Sequence, residues 1–238
     1  MKNFLTSNHV WSVIPARSGS KSIKDKNLKK IQNLSLVARA IKISKNCKLI
    51  KRTFLSTDSL KIKKEGLKFN AEVPFLRSKK NSRDASNDFD VLYEFLIRIN
   101  KLEKKIPKYI VFLRPTTPLR HSKTIDKAIM KFKKLKNYDS LVSVHKMTEP
   151  VHKKFFIKNN ALKPVIPNMT VDQANMPRQN FPISYSANGY LDIIKTKNIF
   201  TNKNYLNKKC LPFVVPRSID IDEKIDLEIA NYLAKKKK

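Results

Sequence analysis

The sequence predicts one α/β domain built on a mostly parallel central sheet, and three observations carry that expectation. Short strand-like runs at residues 10–14, 52–56, 109–113 and 140–144 alternate with segments of helical spacing, the order expected of parallel strands joined by crossover helices. The run at 109–113, YIVFL, is apolar almost throughout, as strands covered on both faces are. The chain has 238 residues, enough for one full α/β domain with a small appendage.

The first informative stretch is residues 13–27, VIPARSGSKSIKDKN. An apolar run stops at Pro15 and gives way to small, polar and cationic residues around Gly19, as a buried strand does when its loop approaches an anion. Glycine lets backbone N–H groups come close to phosphate oxygens, and Arg17, Lys21 and Lys26 supply charge to follow them. An ordinary loop on a basic surface would have similar composition. The whole chain holds only three glycines, however, and one of them lies here. Neither G-x-x-x-x-G-K-[ST] nor G-x-G-x-x-G occurs, so the two commonest phosphate loops are excluded.

Residues 34–44, LSLVARAIKIS, place apolar side chains at three- and four-residue intervals and predict an amphipathic helix. The strand at 52–56 runs into Thr57, Asp58 and Ser59, with Ser59 as N-cap of a helix through Leu67. Residues 71–77, AEVPFLR, read as a third short extended segment. DASND at 84–88 precedes a helix over 89–104, which Ser86 is placed to cap. The strand at 109–113 ends in RPTTPLR, and ligands of open α/β sheets bind at the carboxyl ends of strands, so residues 114–120 belong beside the first loop.

A helix over 122–135 and a strand over 140–144 follow. Residues 146–186 then carry five prolines, an extended run at 155–158 and no long helix, the character of a lid or an oligomerisation arm. YSANGYLDII at 185–194 contains Asn188–Gly189, by itself a turn signal. In RSIDIDEKID, at 217–226, Asp220 and Asp222 alternate along an extended segment and so face one side, about 7 Å apart from the rise per residue. Such a pair can hold a hydrated divalent cation against phosphate oxygens, or it can begin a helix over 225–233 whose dipole favours acids.

Lysine and arginine total 51 against 19 acidic residues, a formal charge of +32. That balance suggests nucleic acid, a membrane surface or an anionic ligand. The charge is scattered, with only residues 235–238 forming a tail-like run, so most of it reads as solvated surface and the rest as steering for an anionic substrate. Two cysteines, Cys47 and Cys210, form neither a CxxC nor a disulfide framework. With no continuous apolar leader and no run of about 18 apolar residues, the expectation is a soluble, cytoplasmic protein.

The phrases IPARSGSKSIKDKN, LSTDS, RPTTPLR, PRQNFP, the Asn188–Gly189 pair and SIDID, in that order, resemble the CMP-nonulosonate synthetases, the acylneuraminate cytidylyltransferase family. The resemblance implies a single Rossmann-like nucleotidyltransferase domain over residues 1–238, with residues 146–186 an inserted dimerisation arm. It implies CTP and an acidic nine-carbon sugar as substrates, Mg²⁺ as cofactor, a homodimer, and no nucleic-acid or membrane partner. By position, Arg17, Ser20, Lys21 and Lys26 would contact the triphosphate, Asn27 would lie near the cytidine, and Arg77 and Ser86 would bind nucleotide. Arg114, Thr116, Lys153, Arg178 and Asn188 would face the sugar, Lys153 being equally readable as one more surface lysine. Asp220 and Asp222 would hold the metal, and Arg17, Lys26 and Asp222 would form the catalytic set.

Two departures from the family pattern bear on the chemistry. Its LQPTSPLR has glutamine where this chain has Arg114, from which a bidentate pair with the sugar carboxylate is expected. Its NGxxY has tyrosine where this chain has Asp192. None of the four histidines sits in a motif that demands a base. The alternatives are a 3-deoxy-octulosonate cytidylyltransferase, a family that lacks the KN ending and the PTxPLR phrase, and a basic nucleic-acid-binding protein suggested by charge alone.

Overall fold

The computed structural model describes residues 5–201 and 203–236. Lys237 and Lys238 of the terminal lysine run, and residues 1–4 of the stretch read for a leader, lie outside the described residues. Strand β1 (Leu5–Pro15) is followed by a short antiparallel pair, β2 (Lys30–Ile31) and β3 (Leu34–Ser35), and then by helix α1 (Leu36–Lys45). Next come β4 (Ile50–Ser56), α2 (Leu60–Lys68), α3 (Asp88–Glu103), β5 (Lys105–Phe112), α4 (Ser122–Lys134) and β6 (Ser140–Lys146). The hairpin β7 (Phe155–Lys158) and β8 (Ala161–Pro164) and the one-turn helix α5 (Val171–Asn175) precede β9 (Tyr185–Lys195). The chain closes with α6 (Thr196–Thr201), β10 (Cys210–Val214) and α7 (Lys224–Lys236).

Six strands form the central sheet in the order β10-β6-β9-β5-β1-β4. The pairs β1–β4, β1–β5 and β10–β6 are parallel, and β9 alone runs antiparallel to its neighbours β5 and β6. Successive β1 side chains point to opposite faces, and both faces of residues 10–14 are buried: Val10 and Ile14 join one core with α1 and α4, Trp11 and Val13 the other with α3. Each fully buried leucine or isoleucine contributes about 1.5–3 kcal/mol, so these two layers supply most of the drive to fold. A third, smaller cluster packs Ile23, Ile31 and Leu36 against Ile221, Ala230 and Ala234, tying the first loop to the last helix.

Local chemistry sets the boundaries. α1 begins two residues later than its spacing suggests, because Leu34 and Ser35 pair with Ile31 and Lys30 and the Ser35 hydroxyl accepts the Ala38 N–H at 3.1 Å. Ser59 caps α2 as expected, accepting from Ile62 N at 3.3 Å. The cap of α3 is Asn87, not Ser86: its side chain accepts from Asp90 N at 2.9 Å, and the helix ends at Lys104 with φ 55°. Residues 71–77 make no strand, only an isolated bridge between Phe54 and Glu72. Asn188–Gly189 is not a hairpin turn; it lies within β9, where the register against β6 shifts between Val142 and Val144. No helix of the described residues is long and apolar enough to cross a membrane.

Candidate active site

The topology gathers one end of the sheet. β1, β4, β5, β6 and β10 run in one direction, so the loops leaving Pro15, Ser56, Phe112, Lys146 and Val214 emerge together. Antiparallel β9 brings its beginning, with Asn188 and Gly189, to that same end. A cleft of about 260 Å³ opens there, lined by Arg17, Ser20, Lys26, Asn27, Arg77, Ser86, Arg114 and Thr116 among others. Eight of the residues assigned from sequence thus share one concave surface.

The first loop is held from several sides. Ser18 donates its N–H and its hydroxyl to the Asp58 carboxylate, at 2.8 and 2.7 Å, which docks the loop on the end of β4. Asn27 is buried and donates to the Arg17 carbonyl at 2.9 Å, closing the loop on itself. Gly19 is not demanded by the chain's own packing, since a Cβ there would meet only Arg17 Nη1 at 3.8 Å. Arg17 and Lys21 both pair with Asp84, at 2.5 and 2.7 Å, and Lys21 and Arg17 together hold that carboxyl below its usual pKa. Arg17 and Lys21 therefore share one protein carboxylate, in a partly exposed arrangement.

Lys26 joins the two ends of the sequence. Its buried ammonium donates to the Ile221 carbonyl at 2.8 Å and pairs with Asp222 at 3.2 Å, across 196 residues. The acids near the C-terminus separate in role. Asp222 faces Lys26, Asp220 accepts weakly from the Thr117 hydroxyl at 3.4 Å, and Asp226 accepts the N–H groups of Asp222 and Glu223 at 2.9 and 2.7 Å. Asp226 thereby takes the helix-capping role that the whole cluster was eligible for. Among the described residues no group of three or more His, Cys, Asp or Glu is placed to hold a metal. Mg²⁺ takes one or two carboxylates and completes its shell with water and substrate phosphates, so the hard oxygen donors of Asp220 and Asp222 fit it.

Arg77 is 7% exposed and lines the cleft, yet its Nε and Nη2 have no hydrogen-bond partner among the described residues. Burial lowers its pKa, opposed by the charges of Asp58 and Glu94. An unsatisfied buried guanidinium beside a cleft is the strongest indication of an anionic ligand in the fold, because leaving such a group unpaired is costly.

Arg114 differs from expectation. Its Nη1 pairs with Asp192 at 2.8 Å and its Nη2 with Asp88, so the guanidinium is occupied from within. Thr116 lines the cleft and its carbonyl receives the Ile221 N–H at 2.8 Å. Asn188 lies in a neighbouring cavity of about 670 Å³, with Asp220, Lys154 and Arg217. The two arm residues stand apart. Lys153 donates to the Ala174 and Met176 carbonyls at 3.4 and 2.6 Å, bracing the arm, and lines neither cavity. Arg178 lines a separate hollow of about 410 Å³ with Phe181 and Ser184.

Some residues escaped the sequence reading. Arg120 is fully enclosed and donates to the carbonyls of Tyr190, Arg114 and Gly189, pinning the RPTTPLR loop to the bulge of β9; burial pushes its pKa down to about 9. Gly189 has φ 64°, and a Cβ there would lie 2.9 Å from Thr117 Oγ1 and 3.5 Å from Asp220, so this crossing requires glycine. Asp58 passed for a turn residue, and Asp84 for a loop residue, because their partners lie 40 or more residues away.

Comparison with known proteins bears on the family and the fold. A family model described as Cytidylyltransferase matches residues 12–238. CMP-N,N'-diacetyllegionaminic acid synthase of Campylobacter jejuni is 31% identical over 227 residues, 94% of each chain. Post-translational flagellin modification protein B of Campylobacter coli is 30% identical over 233 residues, 97% of each. The structure of CMP:2-keto-3-deoxy-manno-octonic acid synthetase complexed with CTP superposes with a TM-score of 0.73 over 97% of this chain and 100% of that one; at 11% identity the likeness concerns the fold. With a family model spanning all but its first eleven residues, and a CMP-sugar synthase relative over 94% of its length, the chain belongs to the cytidylyltransferase family.

Proposed function

We propose that the protein activates a nonulosonic acid with CTP, giving the CMP-sugar and pyrophosphate. The observation that carries this reading is the buried guanidinium of Arg77, whose Nε and Nη2 have no partner among the described residues, in the lining of the same cleft as Arg17 and Lys26. Arg17, Lys26, Arg77 and Arg83, gathered with Arg114 on one small concave surface, suit a triphosphate. The relatives' names point to an acidic nine-carbon sugar as acceptor, N,N'-diacetyllegionaminic acid being the first to test.

In this reading the sugar's anomeric hydroxyl attacks the α-phosphorus in line. The new O–P bond forms as the bond to pyrophosphate breaks, and the hydroxyl proton passes to water or to the departing pyrophosphate. Little covalent chemistry falls to the protein, so its contribution is position and charge. Arg17, Ser20 and Lys26 receive the phosphates, Asn27 and Ser86 flank the nucleoside, and Arg77 pairs with the anion that approaches it. Mg²⁺, held by Asp220 and Asp222, would neutralise charge on the departing pyrophosphate. Incubation of the protein with CTP and each purified nonulosonic acid, followed by pyrophosphate measurement, tests the assignment. Release with none of the neuraminic, legionaminic or pseudaminic acids, but with 3-deoxy-octulosonate, would transfer it to the alternative sugar class.

The homodimer belongs to the same proposal. Phe156, Ile157, Leu162, Met176 and Ile183 of the arm are 48–79% exposed, an apolar surface that a second copy would cover. Ile157, at 79%, makes almost no contact within its own chain. Ile157→Asp is expected to shift sedimentation from dimer to monomer while the far-UV circular dichroism stays unchanged; an unaltered sedimentation coefficient rules the arm out as the interface.

A further inference from the structure

Two of the places where the chain departs from its family's phrases, Arg114 and Asp192, are 78 residues apart in sequence and in direct contact in the fold. Asp192 sits on β9 opposite Phe112 of β5, with its side chain 5% exposed. One of its oxygens accepts from both Arg114 Nη1 and the Tyr205 hydroxyl, each at 2.8 Å. The other arm of the guanidinium reaches Asp88, the first residue of α3. The same guanidinium lies 5.2 Å from the centre of the Phe112 ring, and Tyr205 packs edge-on against that ring at 5.8 Å. Burial works to lower the pKa of Arg114, but Asp192, Tyr205 and Asp88 outweigh it and hold the group above the ordinary arginine value.

One cation between two carboxylates leaves a formal charge of −1 on the cluster, by 1 − 2, so an incoming sugar carboxylate would meet repulsion where a free guanidinium would have attracted it. The cluster also spans three elements that frame the cleft. Asp88 adjoins Ser86 and the Asn87 cap, Arg114 begins the loop bearing Thr116, and Asp192 lies on the strand that carries Asn188 and Gly189.

We propose that Arg114 is a positioning residue, clamped between Asp88 and Asp192 to fix the start of α3 against β9, and that it does not receive the acidic group of the sugar. The proposal deepens the cytidylyltransferase reading and rests on it for its kinetic part. Its structural part rests on the two ion pairs alone. Asp192 is then the counter-charge without which an arginine could not occupy position 114, and the two departures form one compensated exchange.

The test compares Arg114→Gln, Asp192→Asn and the double variant with the wild-type chain, by thermal melting and by kcat and KM for CTP and for the nonulosonic acid. Arg114→Gln leaves a buried carboxylate without its cation, and a fall in Tm of roughly 5–10 °C is expected. The double variant removes that orphan charge and should recover at least half of the loss. A loosened frame should lower kcat roughly tenfold, with the sugar KM within about threefold of wild type. A tenfold or greater rise in sugar KM at unchanged Tm overturns the proposal, as does a double variant no more stable than the single one. Should Arg114→Gln fail to fold, Asp88→Asn opens the clamp from its more exposed side, and the same split of kcat from sugar KM decides. If the melting pattern holds while no protein, wild type included, turns over a nonulosonic acid, the function reading fails and the clamp stands.

Discussion

Replacing Arg77 by methionine is expected to make the protein more stable and nearly useless with CTP. The guanidinium is buried, two of its nitrogens are unpartnered among the described residues, and the charges of Asp58 and Glu94 offset part of the cost of its burial. An unsatisfied buried polar group costs about 1–3 kcal/mol, and more when charged. Methionine fills much the same space without needing a partner, so Tm should rise by roughly 3–8 °C for a chain of this size. Binding should suffer in proportion to what the guanidinium gives an anion. Two charge-assisted hydrogen bonds contribute about 1.5–3 kcal/mol each, equivalent to a rise in the KM for CTP of roughly 10²–10⁴ fold. Differential scanning fluorimetry and steady-state pyrophosphate release read the two effects separately. A lower Tm with unchanged CTP kinetics would make Arg77 a structural arginine and remove the observation on which the functional reading rests.

That opposite movement of stability and activity is visible only in three dimensions, and the same holds for much of the site. The core strands announced themselves by composition, because residues 10–14 of β1 and 109–112 of β5 are covered on both faces. β10 did not, since it is an edge strand of five residues with Pro212 inside it, tolerable there because an edge leaves one side of the ladder unpaired. The cations of the first loop were legible as a cluster from their neighbours in sequence. Arg120 was in plain view within RPTTPLR, yet its use as a clamp depends on carbonyls of residues 189 and 190, contributed by a strand nearly 70 positions on. Arg114 shows the converse. Side-chain chemistry alone favoured a bidentate pair with a substrate carboxylate, and the fold supplied two carboxylates of its own. Lys153 likewise spends its ammonium on arm carbonyls. A residue type states what a side chain is able to bind; which partner reaches it is settled by elements remote in sequence.

Asp222 provides the second large effect, because two roles meet on one carboxylate. Its side chain is 77% exposed, so Asp222→Ala should leave Tm within about 2 °C of wild type, as exposed substitutions generally do. It accepts from Lys26 at 3.2 Å, but Lys26 keeps its shorter bond to the Ile221 carbonyl at 2.8 Å, so the lysine stays placed when the carboxylate goes. If Asp222 served only to tether Lys26, the alanine variant would resemble a mild version of Lys26→Ala, with a raised KM for CTP and little change at saturating nucleotide. If it holds Mg²⁺ with Asp220, as proposed, the loss falls on kcat, because the charge developing on pyrophosphate in the transition state is what goes uncompensated, and a fall of roughly 10³-fold or more is expected. Asp222→Asn separates the two accounts. The amide oxygen can still accept from Lys26 but carries no charge for a cation, so it should rescue a tether and fail to rescue a metal site. Titration of pyrophosphate release against Mg²⁺ completes the test: the assigned role requires that both variants need much more Mg²⁺ than wild type for half-maximal rate, and activity within a few-fold of wild type in Asp222→Ala at ordinary Mg²⁺ would leave this carboxylate with Lys26 as its only business.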